Sequence, residues 1–106
     1  MEKLPDLSKF DEICNDDTDF KKQMISIIKK EFPVEYNLFE DSFELRNYKA
    51  TAEVVHKLKH KINLLNLEDD YLVAVKFEKD LLNGTIELYD SFIDILIKIE
   101  QFLKKI

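Results

Sequence analysis

Gly84 is the only glycine among 106 residues, and Pro5 and Pro33 are the only prolines. A chain so poor in its strongest punctuators has little room for tight hairpins and must be built from a few long elements. Between the sparse breaks, apolar residues recur at helical spacing. "PDLSKFDEIC" sets Leu7, Phe10, Ile13 and Cys14 on one face, with Asp6 as N-cap. That segment is too short to be stable alone and must pack on something else. "NDDTDF" supplies caps for the next helix. Phe20, Met24, Ile27, Ile28, Phe32, Leu38, Phe39 and Phe43 then mark a long amphipathic helix ending near "LRN". Pro33 lies inside it and either kinks or splits it, because its missing N–H removes one backbone bond.

A third helix is expected from near Asn47 to about Leu65, with Tyr48, Ala52, Val55, Leu58, Ile62 and Leu65 as its core stripe. Asn66 suits a left-handed turn, and Glu68, Asp69 and Asp70 suit the positive end of a fourth helix. That helix carries Leu72, Val75, Phe77 and Leu81 and stops at "NG", with Gly84 just beyond its C-cap. Thr85 is expected to cap a fifth helix that runs to the chain end and is apolar on more than one face. Such a helix is central or has a second partner surface, for a homodimer or an adjoining domain. Linkers of a few residues make consecutive helices antiparallel neighbours. The expected fold is all-α, an antiparallel up-down four-helix bundle with a short additional N-terminal helix, spanning 1–106 as one domain.

Composition narrows the function. Hydrophobic residues make up 45% and charged residues 36%, a balance that suits a folded chain. A net charge of −6 gives no overall attraction for nucleic acid, and the lysine pairs at 29–30 and 104–105 read as surface charge. Cys14, alone, makes no internal disulfide and no thiolate zinc site, and reads as a reduced, half-buried thiol in a cytoplasmic protein. The N-terminal "MEKLPDLSKF" lacks an apolar signal region, and runs such as "FIDILIKI" are far short of a membrane span. No phosphate-binding glycine loop or nucleophile elbow is present, which argues against a metabolic enzyme.

Both histidines fall in "EVVHKLKHKIN", residues 53–63. With Val55 at the centre of the core stripe, His56 lies about 100° round the helix, just off the core edge. Lys59 and Asn63 share that flank, and His60 lies about 40° further out. Three readings compete: a solvated basic face, a metal pair, or a nucleophilic imidazole with an ammonium beside it. The i, i+4 spacing fits two zinc ligands, but "HExxH" is absent and Lys57, Lys59 and Lys61 crowd the pair with positive charge. An imidazole exposed on a rigid helix is neutral enough near pH 7 to act as a nucleophile. Lys59, one turn on, is placed to meet a phosphoryl group on His56.

"VVHKLKHKINLLNLEDDYLVAVKFEKDLLNG" resembles the core motif of histidine-containing phosphotransfer (HPt) domains, in which alanine-His-x-Leu-Lys-Gly leads to a Leu-Gly turn and a later Leu-Glu pair. Val55, His56, Leu58 and Lys59 stand at its opening, Leu65-Asn66-Leu67 at the turn, and Phe77-Glu78 at the later pair. "DLSKFDEICNDDTDF" and "EFPVEYNLFEDSFELRNY" are more loosely similar to the family's first and second helices. The resemblance implies a phosphoryl carrier of a two-component phosphorelay, without kinase activity of its own. It implies His56 as phosphoacceptor, Lys59 as the residue steadying the phosphoryl oxygens, and Glu78 as a carboxylate orienting the ring N–H. His60 and Asn63 would flank the binding surface. The partner would be a response-regulator receiver domain, a hybrid histidine kinase, or both. Mg²⁺ is expected on that receiver and no cofactor on this chain. The start at Met1 and the bundle length fit a free-standing carrier. The chain departs from the pattern at His60, where the family has a small residue, and at Asn63 and Asn66, where glycines are common. An imidazole at 60 narrows the approach to His56. The alternative is a degenerate bundle that binds a receiver or another protein without phosphotransfer.

Overall fold

A computed structural model describes residues 3–106. Its five helices are α1 (Ser8–Cys14), α2 (Thr18–Glu44), α3 (Tyr48–Leu64), α4 (Glu68–Leu82) and α5 (Tyr89–Leu103), with no strand among the described residues. α3 lies between α2 and α4, α5 packs on α4 and α2, and α1 lies on α2. The result is a helical bundle around one core to which every helix contributes.

With almost no glycine, the helices end on other residues. Among the described residues, three of the four positive-φ positions are Asn15, Arg46 and Asn66 at φ 51°, 58° and 65°, and the fourth is Gly84 at 78°. After α4 the Gly84 N–H reaches the Leu81 carbonyl at 3.1 Å and the Thr85 N–H reaches Asp80 at 2.8 Å, which is the Schellman closure. Asn66 and Leu67 close α3 in the same way on Asn63 and Ile62, as do Arg46 and Asn47 on Phe43 and Ser42 after α2. Thr85 is therefore part of the α4 stop. It does not cap α5, which begins four residues later at Tyr89. Two other starts have side-chain caps: Asp17, within the expected capping stretch, accepts from the Phe20 N–H at 3.0 Å, and Asn47 from the Ala50 N–H at 3.2 Å. Asp6 is not the N-cap of α1. That position is Leu7, and the Asp6 carboxylate instead accepts from the Ser8 N–H and hydroxyl and from the Asn66 side chain.

Pro33 does not split α2, which runs unbroken for 27 residues. The proline is exposed, and Ile28, Phe32 and Phe39 face inward around it. Phe39 is the aromatic hub. Its ring centre lies 5.1 Å from Phe92, 5.8 Å from Tyr89 and 6.1 Å from Phe77, so one residue ties α2 to α4 and α5. The α3 stripe holds, with Ala52, Val55, Leu58, Ile62 and Leu65 buried and Tyr48 at its edge. Elsewhere the expected core needs correcting. Ile13, Phe20, Ile27, Leu38 and Leu72 are exposed, and Cys14 is fully buried, with its thiol 3.6 Å from the Met24 sulfur. Most of the apolar surface of α5 is taken up by the core; Ile97 remains outside. No helix among the described residues is long and apolar enough to cross a membrane.

Candidate functional site

The α3–α4 seam sets His56 beside Glu78. Val55 and Leu58 anchor α3 in the core, and Phe77 does the same for α4. Both polar residues follow a buried neighbour by one position, so each emerges at the edge of the same seam. His56 Nδ1 lies 3.1 Å from Glu78 Oε2, and Lys59 Nζ lies 2.8 Å from Glu78 Oε1. The carboxylate thus holds one group with each oxygen. Exposure differs sharply along the triad. The Lys59 side chain is 14% exposed and Glu78 21%, while the His56 ring is 54% exposed.

Burial pushes the Glu78 carboxyl up, but hydrogen bonds from Lys59 and His56, with their charges, outweigh it and hold the group below the usual glutamate range. Glu78 is therefore ionised at neutral pH. An ionised carboxylate only accepts hydrogen bonds, so the Nδ1 facing it carries the ring hydrogen. The lone pair of a neutral His56 is then on Nε2, the nitrogen away from the carboxylate.

His60 follows one turn later. Its ring centre is 5.0 Å from that of His56, with the planes at 87°. Asn63 belongs to a different contact, accepting from Lys9 Nζ at 2.9 Å and fastening α1 to α3. The flank drawn as one polar ridge is thus two sets, His56–Lys59–His60–Glu78 and Asn63–Lys9. Lys59 also differs from expectation: its ammonium is held by Glu78, not presented to solvent. Lys61 is engaged too, with Glu31 and Glu35 of α2 each at 3.1 Å. Among the described residues no group of three or more His, Cys, Asp or Glu side chains could hold a metal ion.

Two concavities flank the site. One of about 480 Å³ is lined by Lys49, Ala52, Glu53, His56, Lys57, Glu78 and Leu82. The other, of about 510 Å³, lies along α2 by Ile27, Val34 and Leu38 and is also bordered by Lys57. Ile27, Val34 and Leu38, with Leu45 at the C-cap of α2, are all at least half exposed and sit at i, i+7, i+11 and i+18, in line along one face. Helical periodicity alone placed Ile27 and Leu38 in the core. The heptad spacing to Val34 and Leu45 is the signal that marks a second face.

No protein-family model, curated protein or solved structure matches this chain.

Proposed function

We propose that the chain is a histidine phosphotransfer protein, and that the helical bundle is the antiparallel up-down arrangement of that family. The observation that carries the reading is the half-exposed His56 imidazole whose Nδ1 is held at 3.1 Å by an ionised Glu78. That contact fixes both the tautomer and the ring direction, as a positioned nucleophile requires.

In the proposed reaction the His56 Nε2 lone pair attacks the phosphorus of a receiver aspartyl phosphate. The N–P bond forms, the P–O bond to the aspartate breaks, and its electron pair leaves on the aspartate carboxylate. Nδ1 keeps its hydrogen throughout, so the phosphorylated ring carries a positive charge that Glu78 balances. Lys59 acts through Glu78, keeping the carboxylate ionised and aimed. The receiver brings the Mg²⁺ that neutralises the phosphoryl oxygens. The exposed apolar face of α2 and the groove beside Lys57 would seat the receiver next to His56.

The test is incubation with phosphorylated receivers and Mg²⁺. The expected product is an acid-labile, alkali-stable phosphoprotein that forms in His60→Gln and is lost in His56→Gln. Absence of label across a broad receiver panel would favour the degenerate binding bundle, a reading to which the His60 ring beside His56 lends weight.

A further inference from the structure

We propose that His60 is the phosphoryl-binding residue of this site, taking the part that the sequence pattern gives to Lys59; this rests on His56 being the phosphoacceptor. Two observations carry it. The Lys59 ammonium is 2.8 Å from Glu78 and its side chain is 14% exposed, so it is engaged by the carboxylate. His60 is exposed and stands edge-to-face with His56, ring centres 5.0 Å apart. Rings that close leave little space between their edges. Oxygens of a phosphoryl group on Nε2 then come within charge-assisted hydrogen-bond distance, about 2.8 Å, of a His60 ring nitrogen.

The surrounding charges suit an anion. From α1, Lys9 is bound to Asn63, one turn beyond His60. From α2, Glu31 and Glu35 are occupied by Lys61. From α4, Glu78 is occupied by Lys59 and His56. On α3 itself, Lys57 adjoins the same groove as His56. The carboxylates of Glu31, Glu35 and Glu78 are thus already paired; Glu53 also lines the groove beside His56, where Lys49 and Lys57 outnumber it. An N–H of the His60 ring donates to a phosphoryl oxygen. Phosphohistidine at 56 is therefore stabilised relative to a variant that lacks the ring at 60.

Phosphoramidate tests this without any partner protein. The His56 Nε2 attacks phosphorus, the bond from phosphorus to the ammonia nitrogen breaks, and ammonia leaves. The ratio of phosphorylated to free protein is read by ³¹P NMR at fixed phosphoramidate and ammonium, for the wild type, His60→Ala and His60→Gln. Dividing the wild-type ratio by the variant ratio cancels the titration of the donor. For His60→Ala the quotient is expected to be about tenfold. For His60→Gln, which keeps an N–H donor, the quotient is smaller. A quotient below about threefold for His60→Ala overturns the inference. So does phosphorus attached to His60. If His56 takes up no phosphoryl group in any of the three proteins, it is the phosphoacceptor reading that fails.

Discussion

Of the lysine–carboxylate pairs that join neighbouring helices in this bundle, two that reach α4 end differently. On α5, Lys98 is 9% exposed, its ammonium 2.6 Å from Asp70 of α4 and 2.9 Å from the Lys3 carbonyl. That pair locks α5, α4 and the chain ahead of α1 together. On α3, Lys59 meets Glu78 of α4 at 2.8 Å, but the second oxygen of that carboxylate goes to an imidazole that is half in solvent. The first arrangement is closed on protein atoms and serves the fold. The second is closed on one side only, and its open member is the imidazole proposed as the nucleophile. The same chemistry of ammonium and carboxylate is a clasp in one place and a mount in the other, and the third partner makes the difference.

That contrast breaks first at Asp70. Asp70→Ala removes one partner of the largely buried Lys98 ammonium and should cost about 2 kcal/mol in urea unfolding, with His56 labelling intact once the protein is folded. Stability equal to the wild type would show that the Asp70 contact does not hold the fold, and that the two pairs are alike. Glu78→Gln should do the reverse. Labelling of His56 slows by about tenfold, as loss of an orienting partner does, while urea stability falls by less than about 1 kcal/mol. The sign of its pH dependence follows from the lowered carboxyl. Glu78 contributes stability above the ordinary glutamate range, near pH 4.3, and loses it as pH falls through the lowered value. Acid unfolding of Glu78→Gln should therefore begin from a lower plateau and show a shallower loss than that of the wild type. The smallest structural effect is expected at Leu38→Glu on the exposed face of α2. Stability changes by less than about 0.5 kcal/mol and phosphoramidate labelling is unaffected, but transfer from a receiver weakens. Equal transfer in Leu38→Glu would remove α2 from the docking surface.

The α3 helix was legible in the sequence almost residue by residue. Val55, Leu58 and Ile62 recur on one side, and that phase alone set His56 at the core edge. The helix stops at Asn66 and Gly84 were legible for a local reason, since both are backbone positions with positive φ. Arg46 shares the positive φ without being suited to it by residue type; Asn15 tolerates it, but "NDDTDF" reads equally well as capping residues. Thr85 looked like a cap because a hydroxyl before an apolar run usually is one. Its N–H was already committed to Asp80, a closure visible only when Gly84 is placed in three dimensions. Ile27, Leu38 and Leu72 were read as core because periodicity reports that a helix has an apolar face, not how many neighbours it has. In the site, the phase of Lys59 was legible and its destination was not. A four-carbon stem reaches either solvent or the next helix, and Glu78 on α4 decides between them. Thr51, fully buried and hydrogen-bonded to the Asn47 carbonyl and the Ser42 hydroxyl, drew no notice as a core residue because its hydroxyl is satisfied locally.

The central claim is that Glu78 holds Nδ1 of His56 and leaves Nε2 as the nucleophile. It is tested most directly by ¹⁵N–³¹P NMR on protein carrying ¹⁵N-histidine and phosphorylated with phosphoramidate. The expected result is phosphorus coupled to Nε2 of His56, with Nδ1 still protonated. Phosphorus on Nδ1, or on His60 with His56 unmodified, would contradict the account.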